Sequence, residues 1–322
     1  MSKIDARTRT LSRHSPQRTW RHILAALTFL LVAAATSPAA LACACGCGVF
    51  DIANLFQTET GGSVFLEYDY MDQNKNWSGL SQAPADANDD KSIRTSFYTA
   101  GLRYLFASGF GVMVELPYWQ RHFATDTGST IERFDHGAFG DLRLTGVYSG
   151  FSEHNETAIT LGIKLPTGDD RYAGFDRDTE IGSGSTDLAL GAYHLGKLSS
   201  DGVWRYFVQG RYQFALSSTA DYRPGNELNG VAGVTYDAGL VADTVALAPT
   251  LQLIASIRDS DKGAGANPAD SGYSRLLVSP GVDIILQRWT LHTEVDFPLY
   301  QNIIGNQLIA QELIKTTMSY SF

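Results

Sequence analysis

The sequence predicts an all-β protein that folds as a closed antiparallel transmembrane β-barrel of about twelve strands. Three observations predict it. The last strand alternates between polar and apolar residues and ends on Phe322, about a dozen segments share this two-residue period, and their connections alternate between short and long. Barrels of the bacterial outer membrane combine such strands with short turns at one end and longer loops at the other. The fold class therefore predicts an outer-membrane location.

The C-terminal strand carries the clearest alternation. Its apolar face consists of Ile314, Met318, Tyr320 and Phe322, and its polar face begins with Lys315. A period of two places successive side chains on opposite sides of a strand, so one face would contact lipid and the other the lumen.

The N-terminus has the pattern of a secretory leader. Six basic residues precede an apolar run from Ile23 to Ala35, and an A-x-A site ends at Ala42, directly before Cys43. The run is too short to span a bilayer as a helix. We therefore expect a signal peptide at 1–42, a Cys-rich N-terminal segment at 43–60 and the barrel at 61–322.

Composition limits the classes of partner. The chain has 25 basic and 34 acidic residues and a net charge of −9, and the leader holds six of the basic residues. A chain this acidic lacks the basic surface that binds nucleic acid. We therefore expect no nucleic-acid partner. Three cysteines are too few for a disulfide scaffold of this size. The expected surroundings are outer-membrane lipid and lipopolysaccharide.

The alternating segments and their connections define the predicted topology. The twelve segments are 63–73, 92–106, 110–123, 137–150, 156–168, 184–196, 203–217, 226–238, 242–258, 271–286, 288–300 and 310–322. The longer, polar connections are 74–91, 124–136, 169–183, 218–225, 259–270 and 301–309. An even strand number would leave both termini on the periplasmic side. A soluble β-sandwich is the alternative fold, but it would not show this alternation of connection lengths.

The polar face of the strands supplies the candidate functional residues. The candidate pore-lining residues are Glu67, Asp69, Arg103, Glu115, Arg121, Asp141, Arg143, Lys164, Arg205, Arg211, Arg275, His292, Glu294 and Asp296. Two interpretations remain open. The charges could line a hydrated channel and select solutes, or they could pair across a narrow lumen and hold it shut.

Motifs at the strand ends add a family resemblance. They are Leu116-Pro117-Tyr118, Gly140-Asp141-Leu142, Leu165-Pro166-Thr167-Gly168, the turn 182–187, Ser279-Pro280-Gly281, 298–302 and Gly305-Asn306-Gln307-Leu308. In this order they resemble the outer-membrane transporter family named for the MetA pathway of phenol degradation, from about residue 95 to the end. The resemblance implies a barrel that admits aromatic or other small organic compounds. No cofactor is required for that activity.

The cysteines form a separate element. Cys43, Cys45 and Cys47 make a C-x-C-x-C cluster of soft ligands that suits copper or zinc. Lipidation of Cys43, a disulfide, and a covalent bond to a periplasmic protein partner are the alternatives. We also hypothesise that the segment 43–60 enters the barrel as a plug.

Catalysis is the remaining class to consider. His292 lies near Glu294, Asp296 and Ser279 in the predicted lumen, where a Ser–His–acid unit could in principle form. No G-x-S-x-G motif is present. We therefore expect a channel for passive or gated uptake of small organic solutes and not an enzyme. The alternative is a metal-binding or partner-anchoring protein that acts through the cysteine cluster.

Overall fold

The computed structural model describes residues 42–43, 59–219, 221–242 and 244–322. The described chain is built from strands joined by turns and by three short 3-10 turns, at Ala85–Asn88, Arg177–Thr179 and Pro268–Asp270. The strands are β1 (Ala42–Cys43), β2 (Gly61–Gly79), β3 (Ser81–Gln82), β4 (Ser92–Leu105), β5 (Phe110–Asp126), β6 (Ile131–Phe139), β7 (Leu142–Tyr148), β8 (Thr157–Leu165), β9 (Ser185–Lys197), β10 (Trp204–Ser218), β11 (Glu227–Tyr236), β12 (Leu240–Ala242), β13 (Val245–Arg258), β14 (Tyr273–Leu286) and β15 (Trp289–Ser321).

Eleven of these strands close into one antiparallel ring. The order is β15-β14-β13-β11-β10-β9-β8-β7-β5-β4-β2, and β2 pairs back onto β15 to complete the circle. The short strands β3, β6 and β12 extend their neighbours β2, β5 and β13, and β1 pairs with β15. Each of these eleven strands therefore pairs on both sides, as the wall of a barrel in lipid requires. The predicted all-β, closed antiparallel barrel is confirmed.

The last strand crosses the barrel twice. The backbone N–H of Ser321 donates to the carbonyl of Arg288 at 2.9 Å, and the hydroxyls of Thr293 and Thr316 lie 3.0 Å apart. These contacts require β15 to reverse, and it does so at Gly305, whose φ of 68° lies in the left-handed region that favours glycine. With β15 counted as two antiparallel halves, the chain traverses the ring twelve times, as the sequence predicts.

The two faces of the wall differ as the alternation predicts. On β2, Val64 and Leu66 point outward and are about half exposed, whereas Phe65 and Glu67 point into the barrel and are buried. The outer surface is therefore apolar and the inner face mixed. Within the described residues, no helix is sufficiently long and apolar to cross a bilayer.

The predicted boundaries differ from the structure in three regions: β2 and β15 extend into the predicted connections 74–91 and 301–309, and the strand predicted at 137–150 is divided. The segment 137–150 was predicted as one strand, but it divides at Gly140 into β6 and β7, which pair with different halves of β5. Pro117 lies on β5 opposite this break, and its carbonyl accepts the Gly140 N–H at 2.9 Å. Most of the predicted loop 124–136 is instead a hairpin between β5 and β6. A proline lacks the N–H that would continue the ladder, so the pairing changes there.

The N-terminal predictions fall mainly outside the described residues. The signal peptide up to residue 41, the proposed plug at 44–58, and Cys45 and Cys47 all lie there. These hypotheses stay predictions. The backbone of Ala42 and Cys43 pairs with Ala310 and Ile309.

Candidate functional site

The connection 166–184, between β8 and β9, folds into the barrel. Ile181 of this loop is 3% exposed and belongs to an apolar cluster with inward-facing side chains of the wall, among them Phe97 and Trp119. Phe175 of the same loop packs edge-on against Phe123 at 5.9 Å between ring centroids. Burial of these two apolar side chains stabilises the otherwise polar loop inside the barrel. We call residues 166–184 the inward loop.

The root of the inward loop is fixed by one carboxylate and by glycine contacts. Asp141 accepts hydrogen bonds from the backbone N–H groups of Gly168 and Ser183, each at 3.0 Å. A Cβ on Gly168 would lie 2.8 Å from Gly182 Cα and 2.8 Å from the carbonyl carbon of Gly140. Both ends of the loop are thus packed backbone against backbone, so side chains are excluded at Gly168 and Gly182.

Arg121 holds the tip of the loop from the barrel wall. This β5 side chain is 1% exposed. Its Nη1 donates to the carbonyls of Thr179 and Glu180, and its Nε donates to Thr95 Oγ1 at 3.0 Å. The guanidinium also lies over the ring of Trp119, 5.1 Å from its centroid. A buried cation bound to two carbonyls makes this the strongest single attachment of the loop.

Ion pairs attach the loop to the rim. Lys91 Nζ lies 2.7 Å from Asp176 Oδ2. Burial alone would lower the pKa of Lys91, but the hydrogen bond and charge of Asp176 outweigh it and raise that pKa. Arg177 donates to the carbonyl of Ser183 at 2.6 Å and lies 4.3 Å over the ring of Tyr222.

Two carboxyl groups of the loop have raised pKa values. Burial raises the pKa of Glu180 to about 7, and the nearby charges of Asp169 and Asp170 act in the same direction. The backbone N–H of Tyr172 donates to Glu180 Oε2 at 3.1 Å and offsets only part of this effect. Burial, and then the charge of Asp176, also raise the pKa of Asp178. The inward loop therefore contains one carboxyl group, that of Glu180, that can change charge near neutral pH.

Two cavities lie on opposite sides of the loop tip. The inner cavity has a volume of about 180 Å³ and is lined by wall residues of β2, β4, β5, β7–β11 and β13 together with the loop. The outer cavity, about 370 Å³, lies towards the rim of long connections and is lined by residues such as Asn88, Ala266 and Asn306. Arg177, Asp178 and Tyr222 line both. The turn Arg177–Thr179 and Tyr222 thus separate the two spaces.

Six of the predicted pore-lining residues line the inner cavity: Glu67, Glu115, Asp141, Arg143, Lys164 and Arg211. Some of these charges are paired. Lys164 Nζ lies 2.7 Å from Asp187 Oδ2 and 3.6 Å from Asp141 Oδ2. Neither Glu115 nor Arg143 forms an ion pair with any residue in the described part of the chain. Paired and unpaired charges thus lie on the same wall, and both interpretations of the polar face stay predictions.

The remaining predicted residues lie elsewhere. Asp69, Arg275, His292, Glu294 and Asp296 are buried on the wall formed by β14, β15 and β2. Arg103 donates to Ser63 Oγ at 2.7 Å. Arg121 holds the inward loop, and Arg205 is exposed at the rim of short turns.

His292 does not form the Ser–His–acid unit that the sequence left open. Its Nδ1 lies 2.7 Å from Asp283 Oδ1 and its Nε2 lies 3.1 Å from Glu294 Oε2. With both ring nitrogens on carboxylates, none is left to take a proton from Ser279. Ser279 Oγ instead lies 3.4 Å from the side-chain amide of Gln252.

Comparison with known proteins identifies the family to which this chain belongs. Residues 66–299 match the family described as "Putative MetA-pathway of phenol degradation". The chain belongs to this family. No curated protein matches the chain at a significant level. Among solved structures, the COG4313 outer membrane channel from Pseudomonas putida F1 is similar with a TM-score of 0.64 at 13% identity, covering 85% of this chain and 100% of that one. The family member described here thus has the fold of an outer-membrane barrel.

Other solved barrels are less similar. The transport unit of the autotransporter AIDA-I from Escherichia coli has a TM-score of 0.46 at 11% identity, covering 85% of this chain and 93% of that one. The KdgM porin has a TM-score of 0.39 at 12% identity, covering 80% and 99%.

Three of the motifs that carry the family resemblance meet at the root of the inward loop. Gly140-Asp141, Gly168 and Gly182-Ser183 are far apart in sequence, yet they share the hydrogen bonds and backbone contacts of this root. Their structural role is to close the base of the loop.

Sequence reasoning missed the inward loop and the groups that act through it. Asp178, Glu180 and Tyr222 were not candidates, because they lie in connections and not on strands. The available signal was the pair Phe175 and Ile181, two large apolar residues in a connection predicted to be solvated.

Within the described residues, no group of three His, Cys, Asp or Glu side chains is placed to hold a metal ion. The copper or zinc site at Cys43, Cys45 and Cys47 stays a prediction, since the segment after Cys43 is outside that part of the chain.

Proposed function

We propose that this protein is an outer-membrane channel through which small organic solutes pass, along a lumen narrowed by the inward loop. The observation that carries the proposal is the pair of cavities inside one closed barrel, separated by the turn Arg177–Thr179 and Tyr222. A solute that moves from the outer cavity to the inner one has to pass this turn.

The distribution of surfaces supports a membrane location. Leucine, valine and aromatic side chains cover the outside of the wall, where lipid would replace water. We assign the rim of long connections to the outside of the cell, facing lipopolysaccharide. The rim of short turns, where β2 begins and β15 ends, then faces the periplasm.

The size of the inner cavity limits the solute. An engineered protein cavity of about 150 Å³ holds one benzene molecule. A cavity of about 180 Å³ therefore has room for a single ring with one small substituent. The family description, which refers to phenol degradation, favours the same class of compound.

The polar groups of the lumen favour a channel over an enzyme. Both nitrogens of His292 are bound by carboxylates, so this residue is built as a fixed polar group of the wall. In the inner cavity, the hydroxyl of Ser183 donates to Asp141 Oδ2 at 2.5 Å and accepts from Lys164 Nζ at 2.6 Å, and Lys164 is itself paired with Asp187, so this serine is held within an ion-pair network of the wall.

The proposal is tested with the purified full-length protein in planar lipid bilayers. We expect small, discrete current steps in potassium chloride and a larger flux of one-ring solutes than of disaccharides into liposomes that contain the protein. Protein-free bilayers serve as the baseline. A protein that is folded, by its resistance to unfolding in mild detergent, but never exceeds this baseline would exclude the channel function.

A further inference from the structure

We propose that the inner cavity is a binding site for a single-ring organic anion, such as an aromatic carboxylate, with Arg143 and Arg211 as its recognition groups. This inference rests on the proposed channel function and names the class of solute that the channel selects. It follows from a comparison of the cations that line the cavity: some have acidic or backbone carbonyl partners, and Arg143 and Arg211 do not.

Three of the five cations that line the inner cavity already have acidic or carbonyl partners. Lys164 lies 2.7 Å from Asp187, and Arg177 donates to the carbonyl of Ser183 at 2.6 Å. Arg258 pairs with Asp261 in a buried contact. These cations are committed to the wall and to the loops, so they are not available to a solute.

Arg143 and Arg211 are the other two cations of the cavity. Arg143 has no hydrogen bond or ion pair to the described residues, and its Nε is buried without a partner. Arg211 donates to the neutral side chain of Gln213 at 2.8 Å. Both guanidinium groups line the same cavity and repel each other. A buried donor without an acceptor costs free energy until an acceptor arrives.

The acids near these arginines form no ion pair with them. Glu115 lies directly opposite Arg143 in the pairing of β5 with β7, outside ion-pair distance. Glu227 accepts the hydroxyl of Tyr273 at 3.0 Å. Asp187 is already held by Lys164 and by the amide of Gln213 at 2.7 Å. These carboxylates keep their charges but do not occupy the donors of Arg143 or Arg211, which are therefore open to the carboxylate of a solute.

The chemistry of the cavity fits a carboxylate on an aromatic ring. A carboxylate presents two acceptor oxygens to the forked donors of a guanidinium and would also relieve the repulsion between the two arginines. Met113, Trp119 and Ile181 supply apolar surface for the ring. The volume of about 180 Å³ admits one ring and excludes larger aromatic systems.

The experiment compares three probes of nearly equal shape. Benzoate is the anion, benzamide its neutral counterpart and benzylammonium the cation. Each is titrated against the potassium current of the full-length protein in planar bilayers, and the concentration for half-block is recorded relative to the unblocked current of the same variant. We expect half-block by benzoate at a concentration about tenfold or more below that of the other two probes.

Variants assign the effect to the two arginines. Arg143→Gln and Arg211→Gln should each raise the half-block concentration of benzoate by about tenfold, because each removes a charged donor. The control is Arg288→Gln, an exposed turn residue outside the cavity, which should leave it unchanged. Equal block by benzoate and benzamide, or unchanged block in both cavity variants, would overturn the proposal.

A binding measurement separates this proposal from the channel function. Titration calorimetry of the detergent-solubilised protein with benzoate does not depend on ion flow. A protein that binds benzoate through Arg143 and Arg211 but conducts no current retains the anion site and loses the channel function. A protein that conducts but binds no benzoate retains the channel function and loses the anion site.

Discussion

The two sides of the lumen are built differently. On the side of β7 and β8, the strands are 7 and 9 residues long, the inward loop enters above them, and cavities remain. On the side of β14, β15 and β2, the strands are longer and the charges are buried against one another. His292, Glu294 and Lys315 all have acidic or polar partners there.

The difference indicates a division of roles. Charged pairs on the long-strand side, such as His292 with Glu294, stabilise the closed wall, and this pairing limits what they can do for a solute. On the side of β7 and β8, the part of the wall nearest the rim of long connections is missing, and the inward loop fills that space. A loop is attached at fewer points than a strand, so its position can change. We therefore expect conduction to respond to changes on the short-strand side only.

The largest effect should come from shortening the inward loop. Gly168 and Gly182 are already in contact, so replacing residues 170–181 by two glycines closes the gap without strain on the wall. We expect single-channel conductance to rise about threefold or more, since the turn between the two cavities is removed. The measurement is current through planar bilayers. Unchanged conductance would mean that the loop does not limit the path.

Removing Arg121 should have an intermediate effect. Arg121→Met keeps the length of the side chain but leaves the carbonyls of Thr179 and Glu180 without their buried donor, at a cost of roughly 2–3 kcal/mol. We expect a lower unfolding temperature and a conductance about twice that of the native chain. Arg133→Met, at an exposed position on β6, is the matched control. Equal behaviour of the two variants would contradict the assigned anchoring role.

A smaller effect should follow pH. Burial raises the pKa of Glu180 to about 7 from its ordinary value near 4.5, so the packed loop binds this proton more tightly than a released loop does. Protonation therefore favours the packed loop at low pH. This preference is lost as the pH rises from 4.5 through 7. Ionised Glu180 also meets the charges of Asp169 and Asp170.

Conductance should accordingly increase between pH 5 and pH 8. Glu180→Gln should remove much of this increase because the amide does not titrate, and the rest would come from Asp178, whose pKa is also raised. Glu153→Gln, in the exposed short connection between β7 and β8, should retain the full increase. A pH response that is identical in both variants would exclude Glu180 as its source.

The smallest effect on conduction should come from the opposite side. Lys315 is 1% exposed, and its Nζ lies 3.9 Å from both Glu67 Oε2 and Asp69 Oδ1. Lys315→Met leaves two buried carboxylates without this cation and should destabilise the barrel by about 3 kcal/mol. Thermal unfolding in detergent measures that loss. The conductance of the folded fraction should stay as it is, and a change in it would break the division between the two sides.

The sequence predicted the wall well because the wall depends on a local pattern. The alternation at Met318 and Phe322 reports directly on which face meets lipid, and both are exposed on the outside. The inward loop depends instead on contacts between distant segments. Asp141 lines the inner cavity, but its bonds to Gly168 and Ser183 follow from the position of β7 beside β8, which alternation does not encode.

Ion pairs could not be predicted from the sequence for the same reason, because they depend on contacts between distant segments. Lys164 and Asp187 form an ion pair because they face each other in the register of β8 and β9. Arg143 lies opposite Glu115 on one neighbouring strand and opposite Lys164 on the other, and it forms no ion pair with Glu115. A shift of register by two residues would preserve every inward-facing position and change these partners. The sequence therefore predicts which residues face the lumen, but not which of them stay free.

The glycine contact at the base of the inward loop has one more consequence. Because Gly168 and Gly182 meet without side chains, the two ends of the loop stay joined at its base whatever residues lie between them. Residues that do not contact the wall can therefore be exchanged. Grafts that keep Phe175, Ile181 and the carbonyls bound by Arg121 should change which compounds cross while the cylinder keeps its assembly and stability.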